Sequence, residues 1–110
     1  MIEDIIGKIE ARIQGADAIK EDRRRELLDL LGTLKSEVAK LSRTHGEQAQ
    51  SIAGFTEVST HEATRSEQDP ELLRLSLKGL ASSVQNLEQS HPRLVQIVNG
   101  LSNTLSNLGI

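Results

Sequence analysis

Three stretches of this sequence carry residue types that do chemistry in other settings. The first is "HEATR" at 61–65, which begins like the zinc-protease pattern of two histidines four apart with a glutamate between them. Arg65 stands where the second histidine would be, and a guanidinium cannot ligate a metal. What remains is Glu62 three residues before Arg65, the spacing of an ion pair on a solvated helix. The second is "KEDRRRE" at 20–26, with three consecutive arginines. Acids flank them on both sides, so the local field is near neutral. A nucleic-acid surface wants a basic face, and for single strands stacking aromatics as well. A salt-bridge-laced helix face is the expectation, with no nucleic-acid partner. The third is a pair, His45 and His91, each on a helical seam otherwise built of Leu and Val. If the chain doubles back near residues 67–69 they approach one another, and two chains would bring four into one polar layer. The alternative reading is that each caps a local kink, at Gly46 and at Pro92.

Cysteine is absent, which removes thiolate catalysis, disulfides and cysteine-based zinc sites. The serines lack a Gly-x-Ser-x-Gly elbow, and no glycine-rich phosphate loop occurs. The expectation is therefore no enzyme: no catalytic residues, no metal and no cofactor. Hydrophobic residues make up 36% of 110 positions, and Phe55 is the sole aromatic. Charged residues reach 26% with a formal net charge of −3, so the surface is mixed and mildly acidic. No apolar run approaches the ~20 residues that cross a bilayer. The start "MIEDIIGKIE" alternates acids with Ile, unlike a signal peptide; a cytoplasmic, bacterial-type protein is expected.

The elements that position these residues read as helices throughout a single domain, 1–110. Ile2, Ile5, Ile6, Ile9 and Ile13 share one stripe of a helix over about 2–14, with Gly15 as its stop. Leu27, Leu31, Leu34, Val38 and Leu41 alternate spacings of four and three. Ile52 and Phe55 resume the count after His45 and Gln48, a heptad seam that predicts one helix over 20–65. A split between Thr44 and Gly46 is the rival. Asp69-Pro70-Glu71 is an N-cap, first-turn proline and dipole-matched acid, opening a helix over 70–89 with Leu73, Leu77, Leu80, Val84 and Leu87 on its seam. Proline disfavours helical torsions at the residue before it, so the chain bends at His91. Leu94, Val98, Leu101, Leu105 and Leu108 make a last helix over 92–108. Gly109-Ile110 then has the form of a Schellman ending.

The ending "LEQSHPRLVQIVNGLSNTLSNLGI", with "SIAGFTEVSTHEATR" upstream, resembles domain-of-unknown-function family 4404. These are small bacterial proteins whose tail runs His-Pro, a Leu-rich helix and a final Asn-x-Gly-Ile. His91, Pro92, Leu94, Leu105, Asn107, Gly109 and Ile110 carry the likeness, which extends over most of the chain. The resemblance implies a helical fold, no established activity and no catalytic residues to transfer.

After Arg93 no side chain can carry a charge; the polar face of the last helix is Ser, Asn, Gln and Thr. Ser and Asn are mediocre helix formers, so packing must hold the segment helical, and an uncharged face is inexpensive to desolvate against protein. The expected fold is all-α. Residues 20–65 form a long, coiled-coil-like antiparallel hairpin with 70–108, and two such hairpins complete a four-helix bundle. The expected interface between chains, in a homodimer or tetramer, is Leu31, Leu34, Val38 and Leu41, then Leu77, Leu80 and Val84, then Leu94, Val98, Leu101, Leu105 and Leu108. The expected function is a structural or protein-interaction module. The alternative is a peripheral membrane protein docking through the amphipathic helix 93–108, disfavoured because after Arg93 that helix has none of the Lys, Arg, Trp or Phe of membrane-surface helices.

Overall fold

The computed structural model describes residues 2–108, and within them lie five helices and no strand. They are α1 (Ile2–Gly15), α2 (Glu21–Ser42), α3 (Gly46–Ala63), α4 (Pro70–Ser83) and α5 (Pro92–Leu108). The expected ending at Gly109-Ile110 lies outside the described residues. Each helix follows its apolar stripe. Ile6, Ile9 and Ile13 of α1 are buried, as are Leu27, Leu31, Leu34, Val38 and Leu41 of α2. The Asp69 carboxylate caps α4 by accepting from the Glu71 and Leu72 backbone N–H groups at 3.0 and 3.2 Å.

The helix expected over 20–65 is two helices, broken across 43–45 at the rival position. One helix of that length would span ~65 Å, whereas the longest dimension of the molecule is 37 Å. The run Ser42-Arg43-Thr44-His45-Gly46 supplies the reason, because all but Arg43 form helix poorly and its hydroxyls compete for backbone carbonyls. Ser42 Oγ donates to the Ala39 carbonyl at 2.7 Å and Thr44 Oγ1 to the Leu41 carbonyl at 3.4 Å. His45, at φ −134° and ψ 63°, turns the chain. Folding back here buries Ala49, Ile52 and Ala53, which a straight helix would carry away from the rest of the chain. The helix expected over 70–89, α4, is also shorter than expected. It stops at Ser83 rather than 89, and Val84 leaves it at φ −111° and ψ 5°. The non-helical link still packs, since Val84 and Leu87 are each 3% exposed. Pro92 begins α5 at the predicted place.

Contacts between helices close α2, α3, α4 and α5 into a ring, with α3 and α5 also meeting across it and α1 lying on α2 and α3. Named contacts give the directions. Gln48 donates to the Ser83 carbonyl, so the start of α3 sits at the end of α4. Thr104 donates to Glu26 at 2.7 Å and Arg93 lies 4.0 Å from Glu37, so α5 runs antiparallel to α2. Arg12 of α1 reaches Thr64 at the C-terminal end of α3. One chain therefore supplies the four-helix ring that the sequence reading assigned to two.

The packing of α3 explains how it touches all four other helices. Its inward face is Ala49, Ile52, Ala53, Thr56, Ser59, Thr60 and Ala63, nearly all small, which lets neighbouring backbones approach closely. Burying hydroxyls there costs little because Thr56, Thr60 and Thr64 each donate to the carbonyl four residues back, at 2.7–2.8 Å. The Ser59 hydroxyl is buried without a partner.

Candidate interaction surface

The sequence-singled residues fall into three groups once placed. Of the twelve assigned to an interface between chains, Leu31, Leu34, Val38, Leu41, Leu80, Val84, Leu94, Val98, Leu101 and Leu105 are buried within the single chain. Leu77 and Leu108 are half-buried against the same core. The reason is the break at 43–45: with α3 folded back, the chain covers its own leucines. The same burial occupies the apolar face of α5, leaving Gln96, Asn99, Asn103 and Asn107 outward. No helix among the described residues is long and apolar enough to cross a membrane.

The charged clusters are spent locally. Glu62 and Arg65 form their ion pair at 2.8 Å. The hydrogen bond from Glu62, then its charge, holds the Arg65 guanidinium above its ordinary pKa, with Asp69 and Glu67 adding to the effect. In the arginine run, Arg23 lies 3.8 Å from Glu26 and Arg24 3.2 Å from Glu21. Arg24 does more than pair. It donates to the carbonyls of Ile13, Gln14 and Ile19 at 2.5, 3.1 and 3.0 Å. A cation on the last carbonyls of α1 complements that end of the helix dipole, and the same side chain pins the link between α1 and α2. Sequence reasoning missed this role, which depends on which way the α1–α2 link turns.

His45 and His91 are brought together by one chain, at the break after α2 and the entry to α5. Their ring centroids are 6.0 Å apart and nearly perpendicular. No buried layer forms, because His45 is exposed and His91 half-buried. Among the described residues no group of three or more His, Asp or Glu could hold a metal ion.

What the chain leaves uncovered is elsewhere. The exposed large hydrophobic side chains among the described residues are Phe55 (40% exposed) and Val58 (47%) on α3, with Leu72 (43%) and Leu75 (48%) on α4. Each pair is one helical turn apart, so each forms an outward stripe. The register follows from Gly79, where an added β-carbon would overlap the Phe55 ring. With the helices antiparallel and Phe55 seated on Gly79, Val58 lies level with Leu75, and the two stripes border one groove. The four side chains expose on the order of 300 Å², a single patch of the size at which exposed apolar surface is often functional. Sequence reasoning placed Phe55 on a seam and passed over Val58, Leu72 and Leu75. The signal was present in "ELLRLSLKGL", which holds more leucines than one stripe can use.

Both margins of the patch carry charge, and on the α3 side Glu57 and Val58 line one cavity with Lys8 and Arg12 of α1. Helical spacing puts Glu57 on the flank of α3 away from α4, and Arg74 and Lys78 on the flank of α4 away from α3. Arg74 is joined to Glu71 by two hydrogen bonds, at 3.1 and 2.5 Å. That contact draws the Glu71 carboxyl below its ordinary pKa of 4.5 and lifts Arg74 above its own.

Comparison with known proteins places most of this architecture in one family. No curated protein and no solved structure matches the chain. Residues 27–110 match the family described as Domain of unknown function (DUF4404), a span that holds nearly all of the α2–α5 ring and omits α1. The chain belongs to that family.

Proposed function

We propose that this protein is a structural, protein-interaction module that self-associates through the α3–α4 face, forming a homodimer. The observation that carries the reading is the grouping of Phe55, Val58, Leu72 and Leu75 in one patch, with the sole aromatic residue at its centre. A two-fold axis lying along the groove sets α3 of one chain over α4 of the other. Phe55 and Val58 then cover the partner's Gly79 and Leu75. The patch is thus complementary to itself in shape.

The uncharged stripe of α5 is the competing surface, and it is the weaker one. Desolvating Asn and Gln costs little when they find partners, but it yields no hydrophobic gain. Two short helices offer an area at the low end for a specific interface, so the dimer should be of micromolar strength. Sedimentation equilibrium from about 1 to 300 μM tests the proposal. The expected result is a concentration-dependent dimer in the wild type and a monomer in Val58→Glu and Leu75→Lys. Both positions are roughly half exposed, so both variants should keep wild-type helicity. A wild type that stays monomeric throughout, or variants that dimerise equally well, would end the reading.

A further inference from the structure

We infer that His45 and His91 form a two-imidazole site for a divalent transition-metal ion, closing one end of the bundle. The inference is independent of the self-association reading. The two side chains come from the two irregular junctions at that end, the break between α2 and α3 and the entry to α5. Both backbones are fixed: His45 and His91 N–H donate to the carbonyls of Leu41 and Leu87 at 2.8 and 2.7 Å. Two imidazoles bound through Nε2 at ~2.0–2.1 Å to one tetrahedral ion have centroids ~5 Å apart. The separation here, 6.0 Å, is about one ångström from that, within reach of small side-chain rotations. Both rings are open to solvent on at least one side, so an ion can arrive with water as its remaining ligands.

The other nitrogen of each ring is already anchored. His45 Nδ1 lies 2.7 Å from Thr44 Oγ1, and His91 Nδ1 lies 2.9 Å from Ser90 Oγ. In the tautomer that carries its proton on Nδ1, His45 donates to Thr44 Oγ1. That tautomer leaves the lone pair on Nε2, and Ser90 Oγ can accept from His91 in the same way. Metal-binding histidines are oriented like this, with the non-ligating N–H donated to an oxygen. Imidazole donors suit copper, nickel and zinc, and affinity should follow the usual order with Cu(II) ahead of Zn(II). Two protein ligands make a site of micromolar strength, not one that folding depends on.

Isothermal titration of the metal-free full chain with ZnCl2 and with CuCl2, and thermal melts with and without each ion, test the site. One ion per chain should bind, Cu(II) more tightly. Saturating ion should raise Tm by at least about 5 °C, reversed by chelator, because a ligand that binds only the folded state stabilises it by mass action. His45→Gln and His91→Gln should each weaken binding at least tenfold and abolish the shift, while melting like the wild type in chelator. His61→Gln should change neither. Millimolar affinity in the wild type, one ion per two chains, or binding lost in His61→Gln and kept in the others would overturn the assignment.

Discussion

Gly79→Ala should change sign with the residue at position 55. Alanine is favoured over glycine inside a helix by about 0.8–1.0 kcal/mol, and Gly79 lies well within α4. Against that gain stands the Phe55 ring, which the new methyl group would overlap. The ring is 40% exposed, so it can swing outward instead of forcing the backbones apart. A phenylalanine with three-fifths of its ~200 Å² covered draws about 3 kcal/mol from burial. Sliding off Gly79 while keeping its other contacts forfeits between a third and a half of that, ~1–1.5 kcal/mol. In the wild type the substitution should therefore be neutral to destabilising by up to about 0.7 kcal/mol. In a Phe55→Ala background the ring that meets the new methyl group is gone, and Gly79→Ala should stabilise by about 0.8–1.0 kcal/mol. The coupling between the two sites is then ~1–1.5 kcal/mol, above the ~0.5 kcal/mol within which independent sites add. The chain has no Trp or Tyr, so urea denaturation is followed by circular dichroism, at low micromolar concentration to keep self-association out of the measurement. The same sign and size in both backgrounds would refute the seating of Phe55 on Gly79, and with it the register that aligns Val58 with Leu75.

Three further outcomes follow from the packing. Leu101 is 1% exposed in α5, so Leu101→Asp should cost several kcal/mol by burying an unpaired carboxylate; an unchanged urea midpoint would remove α5 from the core. Pro92→Ala should leave helicity and melting near wild type, because Pro92 is at the first position of α5, where its missing N–H breaks no helical bond; a large loss of stability on this change would contradict that placement. Glu71 has a folded pKa below the ordinary 4.5, so its contribution is present above that value and fades as pH falls through the folded one. Glu71→Gln should accordingly melt slightly below wild type at pH 7, and the two should converge in acid; a gap that widens on acidification would show the sign to be wrong.

The helices themselves were legible in the sequence, and the reason is the number of independent signals behind each. Asp69-Pro70-Glu71 states the start of α4 three times over, by cap, by missing N–H and by dipole. His91-Pro92 states the start of α5 by steric exclusion at the residue before proline. The break after α2 had weaker marks. Gly46 alone does not end a helix, and the heptad count runs through Ser42–Gly46 with only His45 and Gln48 out of character. Periodicity reports which residues share a face, not whether the face continues or folds onto itself. The seam leucines were assigned to an interface between chains, but periodicity could not say whether one chain or two would bury them.

The position of the break decides how much surface the chain has left for a partner. With 20–65 as one helix, both flanks of every leucine would need another chain, and association would be a condition of folding. With the break at 43–45, α3 returns along α2, its alanines and threonines let four helices crowd it, and the ring closes within one molecule. Association is then no longer needed for the core, so a surface kept apolar after closure has another cause. Phe55, Val58, Leu72 and Leu75 sit on the outer side of the two helices whose inner sides are already satisfied. At 40–48% exposure each keeps part of its apolar surface in water, while the covered part, as with Phe55 on Gly79, contributes to the bundle. The groove between α3 and α4 is therefore the part of this fold that looks outward.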